Sequence, residues 1–324
     1  MSRIHEALKK AEQDRATPHA AEVPPPPQAT QASPAPAWEE TLAAAPAVPA
    51  PPAIPIVAEA AAAPTSEDVG YEELRIQCAH PRWHVDRDTI VFGDSAFSAQ
   101  AAEQFRTLRS RLYQIRANHP LRTILITSPM PQEGKTWVTS NLAQAIVRQT
   151  DRRALIIDAD LRASRLHVPL GAPLSPGLTD YLKGEADEMK VIQHGADGNL
   201  CLIAGGNPVP NPSELLSSGR MKTLLNRVAP LFDWILVDSP PCLSVADAGI
   251  LAALCDGILV VVRAGKTPVS AAEKAQHELS SRNVIGVVLN AVEETPAYAT
   301  AYHYGYGYGN GNGKGLGMMH NSPK

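Results

Sequence analysis

The stretch of sequence that decides the fold reads RTILITSPMPQEGKTWVTSNLA and spans residues 122–143. It begins with the short aliphatic run Thr123–Thr127, passes through a loop that holds two prolines and a glycine, and continues with helix-forming residues from Trp137. A short apolar run bounded by turn residues is typical of a buried strand. The stretch therefore predicts a strand, a loop and a helix in immediate succession.

Further aliphatic runs repeat this pattern along the chain. They lie at residues 154–157, 200–203, 234–237, 258–262 and 285–289. Helical patterns lie around the strands, at residues 95–117, 137–149, 177–183, 212–229, 245–254 and 269–282. Apolar strands that alternate with helices indicate a mostly parallel sheet with helices on both faces. The sequence therefore predicts an α/β fold.

Proline marks the organisation of the N-terminal part of the chain. Of 29 prolines, 13 lie between Ala16 and Pro64, among alanine runs and almost no aromatic residues. Such a segment cannot bury enough apolar surface to offset the entropy lost on folding. The predicted domains are a short helix (1–15), a disordered linker (16–88), a folded domain (89–296) and a flexible Tyr/Gly-rich tail (297–324). The short helix is either a frayed end or a docking peptide.

Composition excludes several classes of protein. The 29 basic and 33 acidic residues nearly balance, which argues against bulk nucleic-acid binding. Four scattered cysteines show neither metal-ligand spacing nor a dense disulfide pattern, so we expect reduced thiols and a cytoplasmic chain. The sequence has no secretory signal and no apolar run long enough to span a membrane. We therefore expect a soluble chain whose membrane role, if any, depends on a partner.

The loop after the first predicted strand has the features of a phosphate-binding loop. A Gly-Lys-Thr tripeptide stands between a strand and a helix, which is the context that such a loop requires. In that context Lys135 is expected to reach the β- and γ-phosphates and Thr136 to place its hydroxyl on Mg²⁺. The loop departs from the G-x-x-x-x-G-K-T pattern, because Pro129 replaces its first glycine. The candidate nucleotide-binding residues here are Gln132, Glu133, Gly134, Lys135, Thr136 and Trp137.

Three aspartates follow two of the predicted strands. The sequence ALIIDADLR (154–162) places Asp158 and Asp160 on the same side, provided that the strand stays extended. The sequence DWILVDSPP (233–241) places Asp238 at the end of a later strand. Open α/β sheets bind ligands at the carboxyl ends of their strands, and carboxylates hold Mg²⁺ directly or through water. We therefore predict one Mg²⁺–nucleotide site at this edge.

These three segments resemble the Walker A, Walker A′ and Walker B motifs of the bacterial tyrosine kinases of capsule and exopolysaccharide loci. The resemblance covers residues 95–289 and the tail. It implies a P-loop NTPase fold of the MinD/ParA-like type and an autokinase that uses ATP and Mg²⁺, unrelated to eukaryotic protein kinases. It also implies that the tyrosines of the tail accept the phosphate. These are Tyr298, Tyr302, Tyr304, Tyr306 and Tyr308.

The resemblance assigns roles to the acidic residues. Asp158 would accept the tyrosine proton, while Asp160 and Asp238 would serve Mg²⁺, and Lys135 completes the catalytic set. The roles of Asp158 and Asp160 are open to exchange, because the sequence orients neither carboxylate. Arg162, in the Walker A′ segment, joins the candidate nucleotide-binding residues. Asn290 is a candidate for the adenine pocket by its position at the end of the last strand.

Self-association and partners also follow from the resemblance. Glu103, Arg106 and Arg109 resemble the family's E-x-x-R-x-x-R self-association motif, which implies a ring oligomer; the alternative is a solvated charged face. The resemblance further implies a separately encoded transmembrane chain-length-determinant (polysaccharide co-polymerase) activator that recruits the kinase to the inner face of the cell membrane, and a protein-tyrosine phosphatase.

Two other functions stay open at this point. One is a partitioning or septum-placement ATPase (MinD/ParA-like), although the signature lysine of that class is replaced here by Met130. The other is a nucleotide-gated scaffold that binds ATP without transferring phosphate.

Overall fold

A computed structural model of the chain describes residues 66–92, 96–195 and 199–292. The predicted N-terminal helix, most of the predicted linker and the five tyrosines of the tail lie outside the described residues.

A seven-stranded sheet forms the centre of the domain. Its strands are β1 (Thr123–Thr127), β2 (Ala154–Asp158), β3 (Ile192–His194), β4 (Leu200–Ile203), β5 (Trp234–Asp238), β6 (Gly257–Arg263) and β7 (Val284–Asn290). Their order across the sheet is β3-β4-β2-β5-β1-β6-β7, and within the described sheet only β3 is antiparallel to its neighbour. The carboxyl ends of β1, β2 and β5 therefore meet at one edge.

Helices cover both faces of this sheet. They are α1 (Ser66–Gln77), α2 (Ala96–Asn118), α3 (Lys135–Val147), α4 (His167–Leu170), α5 (Leu178–Lys183), α6 (Glu188–Val191), α7 (Pro212–Ser217), α8 (Gly219–Val228), α9 (Asp247–Ala252) and α10 (Val269–Glu278). Neighbouring strand residues point to opposite faces, and accordingly Ile156 and Ile157 belong to two different core clusters. Leu142 of α3 packs in the cluster of Ile156, and Leu224 of α8 in that of Ile157.

The predicted α/β fold with a mostly parallel sheet is confirmed, and each of the six predicted strands is present within one residue at either end. Strand β3 was not predicted, because its three residues form no apolar run. The single helix predicted over 212–229 is two helices, since the backbone at Ser218 is extended. Among the described helices, none combines the length and the apolar character that crossing a bilayer requires.

The prediction of a disordered linker over 16–88 is wrong for residues 66–88. Helix α1 lies there, and Tyr71 and Leu74 are 1% and 0% exposed. The Tyr71 ring packs edge to face on Phe232, with ring centroids 5.6 Å apart. Composition did not reveal this helix, because α1 is mostly polar and a few apolar residues anchor it in the core. The folded part of the chain therefore begins before residue 89.

The segment after α1 is anchored at both of its ends. Ala79 forms a parallel bridge with Gln193 beside the edge strand β3. Further on, the buried Asn141 side chain of α3 accepts a hydrogen bond from the Val91 backbone N–H (2.8 Å) and donates one to the Thr89 carbonyl (3.1 Å). These bonds connect the N-terminal segment directly to the helix that follows the phosphate loop.

Candidate nucleotide site

The order of the strands brings the predicted motifs together. Strand β5 lies between β2 and β1, and Asp238 at its end pairs in register with Asp158 on one side and Ile126 on the other. The phosphate loop leaves β1 one residue after Ile126 and leads into α3. The carboxyl ends of these three strands thus place the loop, Asp158 and Asp238 at one site.

The loop has the backbone shape of an anion-binding turn although its first glycine is missing. Gln132 and Gly134 both have left-handed backbone conformations, with φ of 63° and 94°. Successive N–H groups in such turns form concave anion sites. The left-handed backbone at Gly134 favours glycine, and a Cβ at this position would lie 2.0 Å from Nδ2 of Asn290, so the Asn290 side chain would have to move. Lys135, which is 8% exposed, begins α3 directly after this turn.

The loop is held from behind by Glu133 and Asn290. The Glu133 side chain is 3% exposed and accepts hydrogen bonds from the Met130 N–H (2.8 Å) and the Thr267 hydroxyl. Nδ2 of Asn290 donates to the Glu133 carbonyl at 2.9 Å. The structure thus commits the side chain of Glu133 to the protein, leaving only its backbone for a nucleotide. It also places the Asn290 amide, predicted for the adenine pocket, against the phosphate loop.

Thr136 and Asp238 are in direct contact at the base of the site. The Thr136 hydroxyl donates to Oδ2 of Asp238 at 2.7 Å, and the Thr139 hydroxyl lies 3.4 Å from Oδ1. Asp238 is 1% exposed, and burial raises its pKa to about 8; the charge of Asp158 adds to this rise and that of Lys135 opposes it.

Asp158 is fully buried and binds the loop that follows it. Its carboxylate accepts hydrogen bonds from the Ser164 hydroxyl (2.6 Å) and from the N–H groups of Leu166 (2.9 Å) and Asp160 (3.2 Å). Burial raises the pKa of Asp158 to about 6, against the effect of these bonds. Strand β2 ends at Asp158, and Asp160 lies beyond it at the start of a turn that the bond from the Ala163 N–H to the Asp160 carbonyl closes. Asp160 is partly exposed and accepts a bond from the Ala163 N–H at 3.2 Å.

The donor set fits Mg²⁺ in a nucleotide site. Within residues 66–92, 96–195 and 199–292, no three His, Cys, Asp or Glu side chains form a site that holds a metal by themselves. Mg²⁺ in nucleotide sites usually takes one or two carboxylates, with phosphate and water oxygens as the remaining ligands. The Thr136 hydroxyl and the buried Asp238 carboxyl provide that partial set, and the buried Asp158 carboxyl lies on the neighbouring strand. The raised pKa values of Asp158 and Asp238 indicate a site in which a bound cation would stabilise the ionised carboxylates.

Two predicted nucleotide-binding residues have other contacts. The Trp137 ring packs against Phe105 of α2, with centroids 5.2 Å apart. The Arg162 guanidinium binds Asp247 at the start of α9 and Ser213 in α7. Ser213, Asp247 and Thr267 were not predicted from the sequence. They lie far along the chain from the residues that they contact, so no local sequence pattern identifies them.

The predicted self-association stripe divides into two parts. Glu103 and Arg106 form an ion pair at 2.9 Å, and their side chains are 64% and 48% exposed. Nη1 of Arg109 instead donates to the Ala145 carbonyl in α3. Arg109 is half-buried and connects α2 to the helix of the phosphate loop, whereas Glu103 and Arg106 are exposed.

The chain is similar in sequence to known tyrosine-protein kinases. The chain is 37% identical over 199 residues to the tyrosine-protein kinase ptk of Acinetobacter johnsonii, which covers 61% of this chain and 27% of that protein. It is 34% identical over 191 residues to the tyrosine-protein kinase YwqD of Bacillus subtilis, which covers 58% of this chain and 80% of that protein. The chain thus spans about a quarter of the length of one relative and most of the other. No protein-family model matches it.

A solved structure agrees with the fold. The kinase domain of the Escherichia coli tyrosine kinase ETK matches with a TM-score of 0.58 and 33% sequence identity, covering 66% of this chain and 81% of that one. This match confirms the P-loop NTPase type of fold predicted from the three motifs.

Proposed function

The chain belongs to the family of bacterial tyrosine kinases, and from this membership we propose that it transfers the γ-phosphoryl group of ATP to protein tyrosines. The observation that carries the proposal is the contact between Thr136 and Asp238 at a strand end next to Asp158. Phosphoryl transfer depends mostly on positioning and on neutralising charge, and this arrangement offers both.

Each part of the site has a proposed task. The loop N–H groups and the positive end of α3 bind the phosphates, and Lys135 neutralises their negative charge. Thr136 and Asp238 hold Mg²⁺, and Asp160 adds a third oxygen ligand from the turn after β2. Bound Mg²⁺ would neutralise charge that develops between the β- and γ-phosphates. The buried Glu133 and the half-buried Asn290 maintain the shape of the loop.

The proton of the attacking tyrosine needs an acceptor, because a phenol has a pKa of about 10. We propose Asp158, since burial raises its pKa to about 6, nearer to the working pH than that of an ordinary carboxyl. The exchanged assignment gives this role to the partly exposed Asp160. The pH–rate profiles of Asp158→Asn and Asp160→Asn separate the two: the variant that lacks the base loses the acidic limb, and the other shows a weaker response to Mg²⁺.

The primary test is incubation of the purified chain with ATP and Mg²⁺, followed by mapping of phosphotyrosine by mass spectrometry. Lys135→Met is expected to remove the label without changing the fold. The matched control is Lys222→Met, which changes an exposed lysine on α8 and is expected to keep full labelling. Equal labelling of the Lys135→Met variant would overturn the proposal. ATP hydrolysis without phosphotyrosine would favour a MinD/ParA-like ATPase, and nucleotide binding without turnover would favour a scaffold.

The proposed acceptors are the five tail tyrosines, Tyr298, Tyr302, Tyr304, Tyr306 and Tyr308. Of the other three tyrosines, Tyr71 and Tyr181 are 1% and 3% exposed. Their hydroxyls are therefore not accessible to the active site of another subunit. We propose transfer between subunits. Mixing a Lys135→Met chain that has an intact tail with an active chain whose five tail tyrosines are phenylalanine tests this, because label must then appear on the inactive chain.

Self-association is proposed to use the exposed part of the Glu103–Arg106–Arg109 stripe. Replacing Glu103 and Arg106 with alanine is expected to shift sedimentation towards the monomer. The control is the same change at Glu72 and Arg75, an exposed i,i+3 ion pair of the same length, 2.9 Å. Arg109→Ala is less informative, because it also removes the bond to the Ala145 carbonyl. Unchanged sedimentation of the Glu103/Arg106 variant would leave the stripe as a solvated face.

The proposed setting is exopolysaccharide or capsule synthesis. A separately encoded transmembrane chain-length-determinant protein would recruit and activate the kinase at the inner face of the cell membrane. Each phosphate adds about −1.5 to −2 charges, so phosphorylated tails would repel one another and loosen a ring until a protein-tyrosine phosphatase restores it. Two measurements test this: membrane recovery of the kinase with and without the partner, and sedimentation before and after dephosphorylation.

A further inference from the structure

Arg162 and Asp247 form a bidentate pair beside the site. Nε of Arg162 donates to Oδ2 of Asp247 at 2.8 Å, and Nη2 donates to Oδ1 at 3.2 Å. Nη2 also donates to the Ser213 hydroxyl at 2.9 Å, and that hydroxyl donates to Oδ1 of Asp247. The Asp247 side chain is 0% exposed and that of Arg162 is 41% exposed. Bidentate charge-assisted bonds of this kind fix orientation as well as adding energy.

This cluster joins three segments that surround the site. Arg162 lies in the turn after β2, Asp247 is the first residue of α9 in the segment after β5, and Ser213 lies in the first turn of α7. The buried carboxylate of Asp247 accepts three hydrogen bonds and so holds these segments together. Removing one donor would leave a buried charge incompletely paired, which proteins tolerate poorly.

The turn that contains Arg162 also contains Asp160. The Ala163 N–H donates to Oδ1 of Asp160 at 3.2 Å and to its carbonyl at 3.1 Å, so the turn closes around Arg162. At its other end, the Asp160 N–H donates to Oδ1 of Asp158 at 3.2 Å. The direction of the Asp160 carboxylate is therefore set by a turn whose middle residue is fastened to Asp247.

We propose that Asp247 and Ser213 are positioning residues that act through Arg162 to hold Asp160 in place for the Mg²⁺–nucleotide complex. The inference rests on the proposed function of this site. It changes the role of Arg162 from a nucleotide ligand to a connection between Asp160 and the helices α7 and α9. Residues that orient metal ligands from behind usually change metal affinity about 10–100-fold when replaced.

The charge state of Asp247 supports this role. Burial by itself would raise its pKa, but hydrogen bonds from Arg162 and Ser213 outweigh burial, and the pKa lies below the ordinary value of 3.8. Asp247 therefore stays ionised and paired at neutral pH.

The opposite ends of the same two strands provide a matched control. There Nη1 of Arg152 donates to Oδ1 of Asp233 at 2.9 Å, and the Arg153 N–H donates to Oδ2 at 2.9 Å. This pair precedes β2 and β5, whereas Arg162 and Asp247 follow them. It is also an arginine–aspartate ion pair beside the same two strands, with one guanidinium bond in place of two, at the edge away from the phosphate loop.

The experiment is a titration of a fluorescent ATP analogue into the full chain at a series of Mg²⁺ concentrations. Asp247→Asn and Arg162→Lys are expected to raise the Mg²⁺ concentration for half-maximal binding about tenfold, with affinity restored at saturating Mg²⁺. Lysine keeps the charge of Arg162 but cannot form the bidentate contact. Ser213→Ala is expected to give a smaller shift in the same direction. Arg152→Lys and Asp233→Asn are expected to leave the Mg²⁺ dependence unchanged.

The outcomes separate positioning from simple stabilisation. If the residues act as a unit, the double variant Arg162→Lys/Asp247→Asn shifts the Mg²⁺ dependence no more than either single change. A lower melting temperature with an unchanged Mg²⁺ dependence, or shifts that add, would overturn the proposal. Should Asp247→Asn fail to fold, the uncharged change Ser213→Ala carries the test. Because the readout is nucleotide binding, a chain that binds Mg²⁺–nucleotide but labels no tyrosine rejects the kinase proposal and leaves this test intact.

Discussion

Asp158 and Asp238 lie directly opposite each other on neighbouring parallel strands, and both are buried. Burial raises the pKa of both carboxyls, to about 6 for Asp158 and about 8 for Asp238, and repulsion from the charge of Asp158 adds to the rise at Asp238. Lys135 offsets part of this repulsion, and the proposed Mg²⁺ would offset more. Strongly perturbed acids gathered at a strand edge are typical of functional sites, and they cost stability that the rest of the fold must supply.

The first prediction concerns the hydroxyl of Thr136, which donates to Asp238 at 2.7 Å. Thr136→Val keeps the shape of the side chain and removes the hydroxyl, so Mg²⁺-dependent nucleotide binding is expected to weaken about tenfold or more. Thr136→Ser is expected to keep most of it. The control is Thr223→Val, which removes an exposed hydroxyl bonded to the Gly219 carbonyl in α8. Binding by the valine variant at the wild-type level would remove Thr136 from the metal site.

The second prediction concerns the left-handed backbone of Gln132, with φ of 63°. A residue with a Cβ is strained in this conformation by about 1–2 kcal/mol. Glycine removes this strain, but it lowers the stability by about 0.4–1 kcal/mol because it increases the entropy of the unfolded chain. Gln132→Gly is therefore expected to raise the free energy of unfolding by about 0.5–1 kcal/mol in urea titrations. Asp151→Gly, at an exposed turn with φ of 59°, is expected to behave alike. A less stable glycine variant would show that the Gln132 side chain stabilises the loop.

The third prediction tests whether α1 belongs to the folded domain. Leu74 is 0% exposed in the core, so Leu74→Ala is expected to lower the free energy of unfolding by about 2–5 kcal/mol. Ile76 lies on the same helix and is 78% exposed, so Ile76→Ala is expected to change it by less than about 0.5 kcal/mol. Denaturant titration of both variants measures the difference. If both changes have equally small effects, α1 is not part of the folded domain and belongs to the linker.

The fourth prediction is that His194 lowers the stability of the chain in mild acid, relative to a variant that lacks this histidine. This residue of β3 is 7% exposed, and burial, with the nearby charges of His80 and Arg75, holds its pKa below the ordinary 6.5. As the pH falls below about 6.5, the unfolded chain takes up this proton before the folded chain does, so stability decreases until the pH has passed the folded pKa. Above pH 6.5 the effect is absent.

The measurement is the free energy of unfolding between pH 5 and pH 8. The difference in this free energy between His194→Gln and the wild type is expected to grow as the pH falls, by about 1.4 kcal/mol for each unit by which the pKa of His194 is lowered, because the raised pKa values of Asp158 and Asp238 affect both chains alike. His119→Gln changes an exposed histidine after α2 and is expected to keep the wild-type profile. A difference that stays constant between pH 5 and pH 8 would show that His194 does not contribute to the pH dependence of stability.

The sequence was sufficient wherever the information is local. Strands β1, β2, β4 and β5 are buried along their whole length, so their residues are apolar on both faces and stand out as continuous runs. The phosphate loop is likewise a contiguous segment, in which Gly134, Lys135 and Thr136 follow one another. Their role in phosphate binding could therefore be predicted before any contact was known.

Other features depend on contacts between distant parts of the chain. Helix α1 is mostly polar and folds because Tyr71 meets Phe232 and Leu74 enters the core. Arg162 and Asp247 are 85 residues apart, and Glu133 and Thr267 are 134 apart. No spacing rule connects residues at such separations, so these contacts, and the partners Ser213, Asp247 and Thr267, were not predicted.

The sequence by itself determined six of the seven described strands, the class of fold and the residues that make a phosphate loop and its acids, because each depends on neighbours in the chain. The tertiary structure decided which of these residues face the site. The order of the sheet sets Asp158 beside Asp238, and buried hydrogen bonds turn Glu133 and Arg162 towards the protein. A side chain takes the direction in which its polar groups find partners, and those partners come together only when the whole sheet has formed.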